Sequence, residues 1–188
     1  MRYIIYMLLA ALIGSLQGCF PIIAAGVGTG ALMASDRRTT GAYIEDESIE
    51  NKASSQINNK YTDKVHFNVT SYNRHVLITG EVPDEETKSA ITLIVEGVVN
   101  VKVVTNEMVA SGQTSFTSRS NDALITTDVK LRFVNNKVFQ PDHVKVITEN
   151  GTVFLMGLVY HKEADSASDI ASTTSGVRRV VKVFEYLD

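Results

Sequence analysis

Four histidines, one cysteine and a few carboxylate pairs are the residues of this 188-residue chain with reactive side chains. His66, His75, His143 and His161 form no His-x-x-x-His pair, and there is no second cysteine, so the spacing that a metal ligand set needs is missing. His66 and His143 lie 77 residues apart, a spacing that matters below. Glu85-Glu86 opens a predicted helix, where the macrodipole accounts for paired acids. No Gly-x-Ser-x-Gly elbow or P-loop is present, and the glycines Gly26, Gly28 and Gly30 follow no predicted strand. The chain therefore reads as non-enzymatic, with no catalytic residues, no metal site and no cofactor. Adsorption is the other chemistry available. On a helical wheel Leu124, Thr127, Leu131 and Val134 fall within roughly 80° of one another, opposite Ile125, Val129 and Phe133. Lys130 and Lys137 lie between these two apolar faces, and Val138 and Phe139 extend the outer one at the helix end.

The elements that hold this helix come from an internal repeat. Residues 67–82 (FNVTSYNRHVLITGEV) and 144–159 (VKVITENGTVFLMGLV) align without a gap, matching Val69 to Val146, Asn73 to Asn150, Gly80 to Gly157 and Val82 to Val159. Each reads as a β-hairpin, with turns at Asn73-Arg74 and Asn150-Gly151. A helix precedes each hairpin. The first starts at Asp46-Glu47-Ser48 and carries the stripe Ile49, Ala53, Ile57. The second starts at Asn121-Asp122, with Ile125, Val129 and Phe133 in the same places. A second helix follows each hairpin, from Pro83-Asp84 to about Glu96 and from His161 onward. Gly97 and Gly176 are the expected caps. Strands over 98–108 and 177–187 close the units. The fold class is α+β: two tandem αββαβ modules, each a three-stranded mixed sheet packed on two helices.

The outer helix face distinguishes the copies. Where the second has Leu124, Thr127, Leu131 and Val134, the first has Ser48, Asn51, Ser55 and Asn58. Two readings of this face stand: packing against the first module, or resting on a membrane with the lysines at the headgroups. Gly157, at the end of the neighbouring strand, either lets that surface approach closely or is simply a strand-end glycine. Asp128 lies beside the face and opposes anionic lipid.

The N-terminus reads as a targeting segment. Arg2 precedes an apolar run over 3–13, too short to span a bilayer, and the run leads to Leu16-Gln17-Gly18-Cys19. This resembles the bacterial lipobox, with Gln17 a departure at its second-to-last position. It implies cleavage after residue 18, lipidation of Cys19 by diacylglycerol and a further acyl chain such as palmitate, and a durable anchor. Phe20, rather than Asp, at the next position points to the outer membrane. The expected organisation is a lipoprotein signal peptide over 1–18, a lipidated N-terminus and flexible Gly/Ala-rich tether over 19–45, modules over 46–110 and 121–188, and a Ser-rich linker over 111–120. The net charge of −3 argues against a nucleic-acid partner.

The double pattern resembles the BON domain, a small αββαβ module of bacterial envelope proteins. The residues that carry the resemblance are Val69, Val144 and Val146 at the hairpin entries, Gly80 and Gly157 at the strand ends, and the pairs Gly97-Val98 and Gly176-Val177. A lipobox followed by two such modules is similar to the dual-BON-domain outer-membrane lipoproteins. The resemblance implies a non-enzymatic lipoprotein on the periplasmic side of the outer membrane that supports envelope integrity. It also implies an anionic phospholipid site on the second module, placed on Leu124, Lys130, Leu131, Val134, Lys137, Val138, Phe139 and Gly157. The alternative is an adaptor that recruits an envelope protein partner through the surface between the modules.

Overall fold

The computed structural model describes residues 36–62, 65–111 and 116–188, with only the backbone of 116–118. The expected signal peptide, Cys19 and most of the expected tether lie outside the described residues. In chain order the elements are α1 (Thr40–Tyr61), β1 (His66–Tyr72), β2 (His75–Val82), α2 (Glu85–Glu96), β3 (Val103–Asn106), β4 (Val109–Ala110), α3 (Phe116–Val134), β5 (Val144–Glu149), β6 (Thr152–Val159), α4 (His161–Ser172) and β7 (Arg179–Tyr186). The sheet orders are β1-β2-β3, with β4 also on β2, and β5-β6-β7. Each hairpin is antiparallel and each closing strand runs parallel to the hairpin's second strand. The two-module α+β fold read from the sequence is the fold observed.

Each sheet carries its helices on one face. In the first module Ile49, Ala53 and Ile57 of α1 and Ile91 and Val95 of α2 pack on Val76, Ile78 and Val82. In the second, Ile125, Val129 and Phe133 of α3 and Ala164, Ala167 and Ala171 of α4 pack on Val146, Val153, Leu155 and Val159. Arg132 fastens α3 to α4: its guanidinium donates to the Ile170 carbonyl and the Thr174 hydroxyl at 2.8 and 2.6 Å, a cation placed at a helix C-terminus.

The opposite faces of the two sheets pack on each other. Tyr72 and Leu77 from the first module join Phe154, Met156, Leu158 and Val183 from the second in one buried cluster, edged by Ile147 and Val181. The layers therefore run helices, sheet, sheet, helices. Strand β6 is buried on both faces from Val153 to Val159. That is why 153–159 is an almost unbroken apolar run and not the alternation expected of a half-exposed hairpin.

A carboxylate locks each hairpin turn. Asn73 and Arg74 have φ of 51° and 67°, and Asn150 and Gly151 have 47° and 70°, the paired positive values of a type I′ turn. Asp46 reaches from α1 to accept from the Asn73 and Arg74 amides at 2.8 and 2.7 Å, and from the Ser71 hydroxyl at 2.7 Å. Asp122 does the same from α3, accepting from the Asn150 and Gly151 amides at 2.8 and 2.7 Å. Both aspartates are buried. The lock holds Arg74 in a backbone region that residues other than glycine rarely adopt.

Several expected boundaries move. Helix α1 begins at Thr40, capped by the Thr39 hydroxyl, so Asp46 is not its start and residues 40–45 belong to the helix instead of the tether. Helix α3 begins at Phe116, so half of the expected Ser-rich linker is helical and Asp122 is a mid-helix residue. The third strand starts at Val103, after a turn, and breaks at Glu107-Met108, where the Met108 side chain is buried in the core. Gly97-Val98 and Gly176-Val177 are not equivalent. Gly97 caps α2 in a right-handed conformation, as Thr173 caps α4, while Gly176 matches Asn100 at a positive φ three residues on.

Replacing Asp122 with alanine strands one buried and one part-buried amide at the hairpin turn of the second module. We expect a loss of roughly 2–4 kcal/mol in urea unfolding, with Asp46→Ala costing at least as much because that carboxylate has more donors.

Candidate functional site

The 3.6-residue period of α3 sends Ile125, Val129 and Phe133 into the core and leaves the other side in solvent. Leu124, Leu131 and Val134 are 66%, 58% and 66% exposed, and Val138 is 41% exposed. No element of the first module covers them, because the modules meet through their sheets. Helix-to-module packing, one of the two sequence readings of this face, is therefore corrected. In the first module Asn51, Ser55 and Asn58 are exposed, and being polar they need no cover.

Lys130 and Lys137 are both exposed, and neither has an ion-pair or hydrogen-bond partner among the described residues. The turn after α3 separates Val138 from Phe139. The Asn136 side-chain oxygen accepts from the Val138 and Phe139 amides at 2.8 and 3.0 Å. Val138 faces out, while Phe139 turns in and meets Phe133 edge-on at 5.0 Å between ring centres. Phe139 is thus a core residue and not part of the exposed face, the more so since an aromatic ring gains most when fully buried. Gly157 is also internal. A Cβ there would sit 2.3 Å from the His143 carbonyl oxygen, so the glycine serves the close approach of β5 to β6 and presents nothing outward.

Two shallow cavities flank Val134. One of about 400 Å³ is lined by Asp36, Arg38, Tyr72, Lys130, Val134 and Lys145 among others, and one of about 360 Å³ by Lys137, Val138, Pro141 and their neighbours. Asp36 and Arg38 thus lie beside the exposed face of α3.

Two adjacent arginines, within the stretch expected to be tether, pin this segment. Arg37 donates to both Glu163 oxygens at 2.6 and 2.8 Å and to the Leu158 carbonyl at 2.7 Å, all in the second module. Arg38 pairs with Asp36 and Asp46 and lies 4.0 Å over the Tyr72 ring. Burial pushes the Tyr72 hydroxyl up to about 12. Glu163 also accepts from the Tyr160 amide at 2.9 Å, and the Arg37 hydrogen bonds hold its carboxyl below the usual range. His143 and His66, equivalent in the repeat, face different carboxylates: His143 lies 4.0 Å from Glu163, and His66 is 2.9 Å from Glu81. They do not share a site. No helix among the described residues is long and apolar enough to cross a membrane.

The BON domain sequence profile matches residues 45–112 and 121–188, which together are most of the chain. The chain belongs to the BON-domain family. Across 186 residues, 96% of each chain, it is 43% identical to the outer membrane lipoprotein DolP of Haemophilus influenzae. It is 30% identical over 154 residues to the 21 kDa hemolysin of Actinobacillus pleuropneumoniae, covering 81% of this chain and 79% of that one. Among solved structures, the C-terminal domain of CdsD of Chlamydia trachomatis matches at a TM-score of 0.30 and 15% identity, over 76% of this chain and 67% of that one, too distant to inform the fold. This two-BON chain is a lipid-anchored protein of the outer membrane.

The Arg37–Glu163 pair ties stability to pH. Because the Glu163 carboxyl titrates lower when folded, its contribution is full above the unfolded value and is lost as pH falls through the folded one. Glu163→Gln should cost about 1–2 kcal/mol at neutral pH, for a charge-assisted pair that is only partly buried. Urea midpoints of the two proteins should converge as pH drops below about 4.

Proposed function

We propose that this chain is a non-enzymatic lipoprotein that supports envelope integrity, and that its second BON module rests α3 on anionic phospholipid of the membrane holding its anchor. The carrying observation is the exposed Leu124, Leu131 and Val134 face with unpaired Lys130 and Lys137 at its border, present in one copy and polar in the other. Each aliphatic side chain fully withdrawn from water contributes about 1.5–3 kcal/mol, and the lysines add attraction to headgroup phosphates. Asp128 opposes that attraction, so apolar burial is the larger contribution. The resemblance to the outer membrane lipoprotein DolP supports the same reading.

We further propose that residues 1–18 are the signal peptide, that Cys19 carries the lipid, and that BON modules follow at 46–110 and 121–188. The chain between Cys19 and Asp36 spans at most about 60 Å when fully extended. A weak helix–lipid contact is reinforced by tethering to the same membrane. The alternative adaptor reading relied on the surface between the modules, and that surface is filled by the sheet-to-sheet cluster.

An unlipidated Cys19→Ala form should float with phosphatidylglycerol vesicles. Replacing Leu131 and Val134 together with glutamate should lower binding roughly tenfold or more while leaving the unfolding free energy in urea within about 0.5 kcal/mol, as expected for exposed positions. Undiminished binding by the double variant would refute the lipid face.

A further inference from the structure

At one end of the sheet-to-sheet interface, three ligand-bearing side chains from both modules converge. His66 and Glu81 are cross-strand partners on β1 and β2, with Nδ1 2.9 Å from a Glu81 oxygen. Glu149 arrives from β5 of the second module. One ligand atom from each of the three lies within 4.8 Å of the others, the only such group among the described residues. Glu81 is 3% exposed, and His66 and Glu149 are half-buried.

We propose that His66, Glu81 and Glu149 form a divalent-cation site of the zinc class that bridges the two BON modules. One imidazole nitrogen and two carboxylates are ligands zinc accepts, with a fourth position for water. Bonds of about 2.1 Å in a tetrahedron place ligand atoms roughly 3.4 Å apart, so small rotations of Glu149 and His66 complete the set. The ion neutralises two carboxylates that the fold brings together in a partly desolvated place.

The surroundings fit. The Asn68 amide donates to a Glu149 oxygen at 3.1 Å, the kind of outer contact that orients a ligand. Thr79, 1% exposed, stands two residues from Glu81 on the same face of β2, and its hydroxyl has no hydrogen-bond partner. Glu81 and Glu149 both line an adjoining cavity of about 70 Å³, room for a water or two. Arg179 also lines it, but its guanidinium is engaged by Glu107 at 3.1 Å.

The test uses the full-length chain in detergent, stripped with a chelator, and Zn²⁺ as the probe with Mg²⁺ as the control. One Zn²⁺ per chain should bind and raise the unfolding temperature, and Mg²⁺ should not. Glu149→Gln and His66→Asn should each lose at least tenfold in affinity, together with the thermal shift, while keeping the wild-type circular dichroism. Absence of a shift in the wild type overturns the site, as does an equal shift in Glu149→Gln, which would mean binding elsewhere, such as at His161 and Asp188. Should either variant fail to fold, X-ray absorption of the zinc-loaded wild type decides: a nitrogen and oxygen shell with one imidazole is expected, and a sulfur shell or no imidazole overturns it.

Discussion

The two central hairpins cover each other, and the rest of the molecule follows from that. A sheet with helices on one face still has a second face to withdraw from water. Here each module supplies the other's cover, through Tyr72 and Leu77 on one side and Phe154, Met156, Leu158 and Val183 on the other. Modules of about 65 residues bury only about 60% of their unfolded surface and are marginal alone. Back-to-back packing also dictates what stays outside: with sheets meeting in the middle, all four helices face outward, and the outer side of each is free to diverge.

Polar contacts surround that dry layer and act at its ends. Asp46 and Asp122 hold the turns that define hairpin register. Arg37 and Arg38, adjacent in sequence, point to different modules and tie the start of α1 to both. Lys145 with Glu50 and Asn73 with Glu185 add cross-module links. The proposed cation site is a further link of this kind, joining a carboxylate from each module. The assembly is thus one compact unit and not two beads on a linker.

Duplication made the copies; their outer faces show how they parted. The hairpin, the turn lock and the inner helix stripe are common to both. The first module's α1 has polar residues where α3 of the second exposes leucine and valine. An uncovered apolar helix face costs solubility, so it persists where something outside the fold covers it.

The repeat, the element order, the turns at Asn73-Arg74 and Asn150-Gly151, and the inner stripes Ile49-Ala53-Ile57 and Ile125-Val129-Phe133 were all legible in the sequence, because they depend on spacing of 2.0 or 3.6 residues and on local turn chemistry. So was the contrast between Leu131 and Ser55. Which of Val138 and Phe139 faces inward was not legible, since that depends on how Asn136 bends the following loop. Asp46 and Asp122 looked like helix starts because acids are common there; their actual partners lie 27 to 29 residues away in sequence. The unbroken run from Val153 to Val159 did carry a signal of two-sided burial. Only the tertiary structure decided that the sheets, and not the helices, join the modules. The choice depends on matching surfaces contributed by strands far apart in the chain, which no local period encodes. The meeting of His66 and Glu81 with Glu149 follows from the same docking.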